Sequence, residues 1–93
     1  MSNKYELPLI KGLFTNKEAK EVLLLMVGDK LTFHRKEIFS IKERNNGDVS
    51  KHENRISELK EVQDAIKHII KEAEDNGFQL KIDCNISIEF LKQ

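Results

Sequence analysis

The sequence predicts an α+β fold of order β-α-α-β: a two-stranded antiparallel ribbon, covered on one face by a helical hairpin and completed by dimerisation. Two patterns carry this expectation. Every even position from Phe78 to Phe90 is apolar or cysteine, and every odd position between them is polar. Residues 51–76 instead place Leu59, Val62, Ile66, Ile69 and Ala73 at alternating three- and four-residue steps. A period of two marks a half-buried strand, and a mixed three-four period marks a helix with one apolar stripe.

In chain order, Tyr5, Leu7 and Leu9 alternate with Glu6 and Pro8, which predicts a first strand over Tyr5 to Lys11. Pro8 has no N–H to give to a ladder and suits an edge. Thr15 and Glu18 have the spacing of a capping box, and Ala19, Val22, Leu23, Met26 and Val27 open a helix behind it. Gly28-Asp29 interrupts the pattern, yet Val27, Leu31, His34, Ile38 and Ile41 continue the helical period through it. Two readings follow. One is a helix over 16–43, ~42 Å long. The other is a turn at Gly28-Asp29 followed by a third strand over 30–41, where Leu31 and Phe33, then Phe39 and Ile41, alternate locally. Length favours the helix, because it matches the second helix of ~39 Å.

That second helix spans 51–76, with Ser50 and Glu53 at capping-box spacing and Ile56 and Ile70 flanking the stripe. Asn76-Gly77 ends it, Gly77 being suited to the left-handed position after a helix. The last strand then runs from Phe78 to Phe90, ~43 Å if fully extended. A helical hairpin returns the chain to its starting end, so the two strands are antiparallel. The last strand is expected to outrun the first, leaving open ladder groups and apolar side chains. Pairing with a second copy through Cys84, Ile86, Ile88 and Phe90 would close it.

Composition sets limits on function. The 93 residues are expected to form a single domain, 39% apolar and 34% charged. Sixteen basic residues balance sixteen acidic ones, which disfavours a nucleic-acid binder driven by bulk charge. No apolar run approaches the ~18 residues of a membrane span, and no signal-peptide core follows Met1 to Glu6. The single cysteine, Cys84, allows neither an intrachain disulfide nor a cysteine-rich zinc site. A cytoplasmic protein is expected. A domain of this size buries only roughly 60–65% of its unfolded surface, so a partner subunit would help it.

Candidate chemistry is sparse. With a hairpin turning near Gly47, residues whose numbers sum to about 94 face each other, which separates His34, His52 and His68 and gives no metal site. His34 falls on the apolar line between Leu31 and Ile38, read either as a satisfied core or interface histidine or as a ligand-contacting one. The segment 33–46 is the most function-like stretch, combining Phe33, His34, Arg35, Lys36, Phe39 and Arg44 with a turn at Asn45-Asn46-Gly47. Residues 30–44 carry five basic and two acidic groups, and residues 51–76 an acidic excess. The imbalance serves either to recruit an anion or acidic partner surface, or simply to complement the second helix. There is no GxxxxGK[ST] or GxGxxG loop and no identifiable nucleophile triad. No cofactor is expected.

With Leu7-Pro8-Leu9-Ile10, Phe33-His34, Glu43-Arg44 and Arg55-Ile56-Ser57-Glu58-Leu59 at these spacings, the whole chain resembles a group of small uncharacterised bacterial proteins. Similar members place an aromatic residue and Gly directly after the Glu-Arg pair, where this chain has Asn45-Asn46-Gly47. The resemblance implies no activity; it marks His34, Arg44 and Arg55 as positions to test. The leading expectation is therefore a non-enzymatic, homo-oligomeric interaction or regulatory module. The second is a binder of a small, nucleotide-like anion through His34, Arg35, Lys36, Arg44 and Arg55.

Overall fold

The computed structural model describes residues 3–93 as β1 (Lys4–Phe14), α1 (Asn16–Asn45), α2 (Ser50–Asp75) and β2 (Leu80–Glu89). Met1 and Ser2, included in the single domain expected over 1–93, lie outside the described residues. The α+β class and the β-α-α-β order are as the sequence predicts, with β1 and β2 forming one two-stranded antiparallel sheet.

Residues 30–41 are helical, and Gly28 lies inside the 30-residue α1 rather than in a turn. Leu31 and His34 are buried, so tertiary packing carries the helix across its weakest intrinsic position. At the start of α1 the expected capping box is present. Glu18 N–H donates to Thr15 Oγ1 at 3.1 Å, and Thr15 N–H donates to Glu18 Oε1 at 2.9 Å. Those bonds satisfy two helix-end donors and hold the Glu18 carboxyl below its ordinary range, the Thr15 backbone N–H contributing most.

α2 starts differently from the expectation. Ser50 is not its cap, because Asp48 Oδ1 accepts from both the N–H and the hydroxyl of Ser50. The hydroxyl is thereby engaged upstream, and the buried Val49 precedes the helix instead. At the other end, Gly77 (φ 71°) adopts the expected left-handed conformation. Phe78 N–H donates to Ala73 O at 2.8 Å and Gly77 N–H to Glu74 O at 3.3 Å, the paired bonds of a Schellman motif.

The strands pair over their whole length, from Lys4 opposite Glu89 to Phe14 opposite Leu80. The expected overhang of the last strand is therefore absent, since β1 reaches Phe14 rather than Lys11 and β2 begins only at Leu80. Two features let β1 extend. One is a bulge: Pro8 pairs with Asn85 and Ile10 with Cys84, leaving Leu9 as the extra residue. Before the bulge, odd-numbered Tyr5 and Leu7 oppose Ile88 and Ile86; after it, even-numbered Ile10, Gly12 and Phe14 oppose Cys84, Ile82 and Leu80. Directly opposed residues share a face, so the bulge switches parity within β1 and keeps one continuous apolar face against the unbroken alternation of β2. The other is Gly12, whose φ of 146° is open to glycine, with the Phe14 ring 4.0 Å from where a Cβ would stand.

The core is small and belongs to the helices. Val27, Leu31 and Leu59 form its centre, with Ile56 and Ile66 packed against them. Ala19, Ile70 and Ala73 are buried toward the start of α1 and the end of α2. No residue of either strand is buried to the same degree. On the apolar ribbon face, Ile10, Gly12, Phe14, Leu80, Ile82 and Cys84 are half-buried, whereas Tyr5, Leu7, Ile86, Ile88 and Phe90 remain 38–58% exposed. The face that the hairpin is expected to cover is thus half-buried only at the end of the ribbon that joins the helices. The molecule is a thin plate of 51 × 37 × 15 Å. Its radius of gyration is 16.9 Å, against about 12 Å for a compact chain of this length.

Candidate functional site

A cleft of about 500 Å³ lies where α2 begins beside the middle of α1, lined by Lys30, His34, Lys51, His52, Asn54, Arg55 and Glu58. Helical spacing assembles it. Lys30 and His34 are one turn apart on α1, and Lys51 and Arg55 one turn apart on α2, so each pair projects from one side of its helix.

His34 Nδ1 lies 2.9 Å from His52 Nδ1, a hydrogen bond in which one ring donates and the other accepts. This corrects the expectation that the histidines are spread along the hairpin. Asn46 is left-handed (φ 52°), and the chain doubles back, with Ile41 Cγ2 3.2 Å from where a Cβ on Gly47 would stand. α1 therefore runs on past the start of α2, and His52 sits opposite His34 instead of near Lys42. His34 is 8% exposed, and its Nε2 is buried without a hydrogen-bond partner. Burial is the main cause that lowers its pKa, assisted by the positive charge of Lys30, by His52 and by Arg55, with Glu37 opposing. The Phe33 ring meets His34 edge-on at 5.1 Å, and Lys30 Nζ stands 5.1 Å above that same ring.

The lining of the cleft carries three basic side chains, Lys30, Lys51 and Arg55, and one carboxylate, Glu58. Glu58 is paired with Arg55 at 2.9 Å, both side chains being about half exposed or more. Among the described residues, no group of three or more His, Cys, Asp or Glu is arranged to hold a metal ion. The surroundings are cationic and donor-rich.

Of the expected ligand-contacting residues, His34 and Arg55 meet here. Arg35 and Lys36 are exposed and outside the lining, and Arg44 is exposed with its Nε donating to Ser40 O at 3.4 Å. The basic segment 33–46 thus does not act as a unit; His34 alone turns inward. Lys30, Lys51, His52 and Asn54 escaped the sequence reading. The signal for His52 was present: it lies one turn ahead of Ile56 on the buried line of α2. Of the expected interface residues, Cys84 is half-buried, and Ile86, Ile88 and Phe90 are exposed.

Comparison with protein-family models, curated proteins and solved structures finds no match. Among the described residues, no helix is long and apolar enough to cross a membrane.

Proposed function

We propose that this protein is a non-enzymatic, cytoplasmic interaction module that works as a homodimer, its two ribbons joined through β2 into one four-stranded sheet. The observation that carries this reading is the half-covered apolar face. Ile10, Gly12, Phe14, Leu80, Ile82 and Cys84 have cover, whereas Tyr5, Leu7, Ile86, Ile88 and Phe90 are open. In an antiparallel β2–β2 pair related by a two-fold axis, residues 86–90 of one copy lie beside residues 80–84 of the other. Each hairpin then comes toward the part of the face that the partner's ribbon leaves bare.

The edges support the same arrangement. β1 carries Pro8 and a bulge, both of which discourage edge pairing; β2 from Leu80 to Glu89 has neither. Phe90 N–H donates to Asn3 O. By the alternation of antiparallel ladders, the even-numbered amides of this half of β2 point at β1, and those of Asn85 and Ser87 point to the open edge. Matching apolar faces require residues of equal parity to oppose each other, so the axis passes near Cys84 and Asn85. The lone cysteine suits a reducing compartment.

Light scattering tests the reading. The wild type should have twice the 10.8 kDa chain mass at high-micromolar concentration. Ser87→Pro should yield a folded monomer, because it removes an outward donor and spares the β1 ladder. A 10.8 kDa wild type, or a Ser87→Pro variant that remains dimeric, would refute the shared sheet.

A further inference from the structure

We propose that the cleft between α1 and α2 binds a phosphate-class dianion, free or as the head of a small phosphomonoester, through Lys30, Lys51 and Arg55 with the His34–His52 pair as hydrogen-bond donors. The site is separate from the β2 edge and does not depend on dimerisation.

Charge and chemistry lead to this class of ligand. Lys30, Lys51 and Arg55 against Glu58 leave an excess of two positive charges in the lining, which matches a dianion and repels a metal cation. The basic residues of the lining come from two different helices, and Arg55 supplies the planar fork suited to phosphate oxygens. The first turns of α2 contribute Lys51, His52, Asn54 and Arg55, adding the positive end of the helix dipole to the same region. A second observation points to a ligand independently. His34 is nine-tenths buried, lines the cleft and keeps a ring nitrogen without a partner. A buried polar atom left unsatisfied is destabilising, and a turn of the imidazole toward a bound anion supplies the partner that Nε2 lacks. The cleft, at about 500 Å³, falls within the ~300–1,000 Å³ of small-molecule sites and has room beyond a single phosphate group.

Binding is linked to protons. The groups facing His34 are Lys30 and Glu37 on its own helix and His52 and Arg55 on α2. Without an anion, burial and the nearby cations disfavour the charged form of His34. An anion among them reverses the local potential, so the His34 ring takes up a proton as it binds, and binding tightens as pH falls.

The test is calorimetric titration of the full chain with inorganic phosphate, AMP and adenosine, while the ring resonances of His34 and His52 are followed by NMR. Inorganic phosphate and AMP should bind saturably and move both rings, and adenosine should do neither. Tighter binding of AMP than of inorganic phosphate identifies a phosphomonoester as occupant, and the reverse identifies free phosphate. Arg55→Gln, at an exposed position, and His52→Gln should each weaken binding about ten-fold or more, while Arg35→Gln and Lys36→Gln leave it unchanged. Sulfate stays dianionic where a phosphate ester titrates near pH 6, so its affinity isolates the histidines. It should be several-fold higher at about pH 6 than at about pH 8. Absence of binding at millimolar phosphate, binding indifferent to both cleft variants, or ring shifts produced by Zn²⁺ and by no anion would each overturn the proposal.

Discussion

His34 stands where the helical period calls for an aliphatic side chain, between Leu31 and Ile38, and it is buried as one would be. An imidazole there carries a consequence for acid stability. Burial and neighbouring positive charge lower its pKa in the folded protein from the ordinary 6.5. The unfolded chain therefore binds the proton more readily, and folding loses stability as pH falls below about 6.5. The loss saturates once the pH lies below the lowered folded value. Thermal melts followed by circular dichroism should show a midpoint that drops between about pH 7.5 and about pH 5.5, and His34→Leu should flatten that drop. Equal slopes for the two proteins would mean that other groups dominate. Glu18 and Asp48, whose carboxyls are also lowered, act only further into acid, below 4.5 and 3.8. The sequence shows His34 on the buried line but not its partner. His52 pairs with it only because residues 46–49 double back, and that path depends on a left-handed Asn46 that no periodicity encodes. Ser50 illustrates the same limit: its spacing to Glu53 offered it a cap role, and the Asp48 carboxylate two residues upstream took its hydroxyl.

At the scale of elements, the legible parts are those with a single unbroken period. The even-odd alternation of β2 was readable and holds to Glu89. In α2 the expected stripe and the buried one share Leu59, Ile66 and Ala73, but the seam runs through Ile56 and Ile70, leaving Val62 and Ile69 exposed at 45% and 55%. The true seam steps His52, Ile56, Leu59, Gln63, Ile66, Ile70, Ala73, and its two polar members disguise it. β1 was underestimated for a related reason. Tyr5, Leu7 and Leu9 alternate cleanly, so the parity switch that lets Ile10, Gly12 and Phe14 rejoin the same face looks in sequence like an ending. The bulge yields a sharp prediction. Deleting Leu9 removes the extra residue and leaves every other opposed pair intact, at a cost of about 1 kcal/mol, or roughly 4–8 °C in melting midpoint. Deleting Asp83 from β2 instead turns Leu80 and Ile82 to the polar face, and cooperative unfolding should be lost. Thermal melts of the two variants decide it; similar midpoints would show that the ribbon does not depend on register.

For the whole molecule, a 16.9 Å radius of gyration and a core centred on Val27, Leu31 and Leu59 describe a chain with more apolar surface than it can fold over itself. The sequence indicated that shortage through size and the amphipathic last strand, although the cause it suggested, an overhanging strand, is absent. One feature of the topology bears on how the chain reaches this state. The ribbon joins residues 4–14 to residues 80–89, so more than two thirds of the chain must be closed before its first ladder bond forms. The α1–α2 seam needs far shorter loops: Leu31 and Leu59 are separated by fewer than thirty residues. Hydrogen-exchange pulse labelling during refolding should find the amides of Leu31 and Leu59 protected before those of Leu7 and Ile86. Strand amides protected first would exclude this order. During synthesis the same connectivity means that β1 leaves the ribosome before any residue it pairs with exists. Tyr5, Leu7 and Ile10 must wait in solution until translation is almost complete, and the Pro8 and bulge that blunt this strand's edge guard it through that interval as well as afterwards.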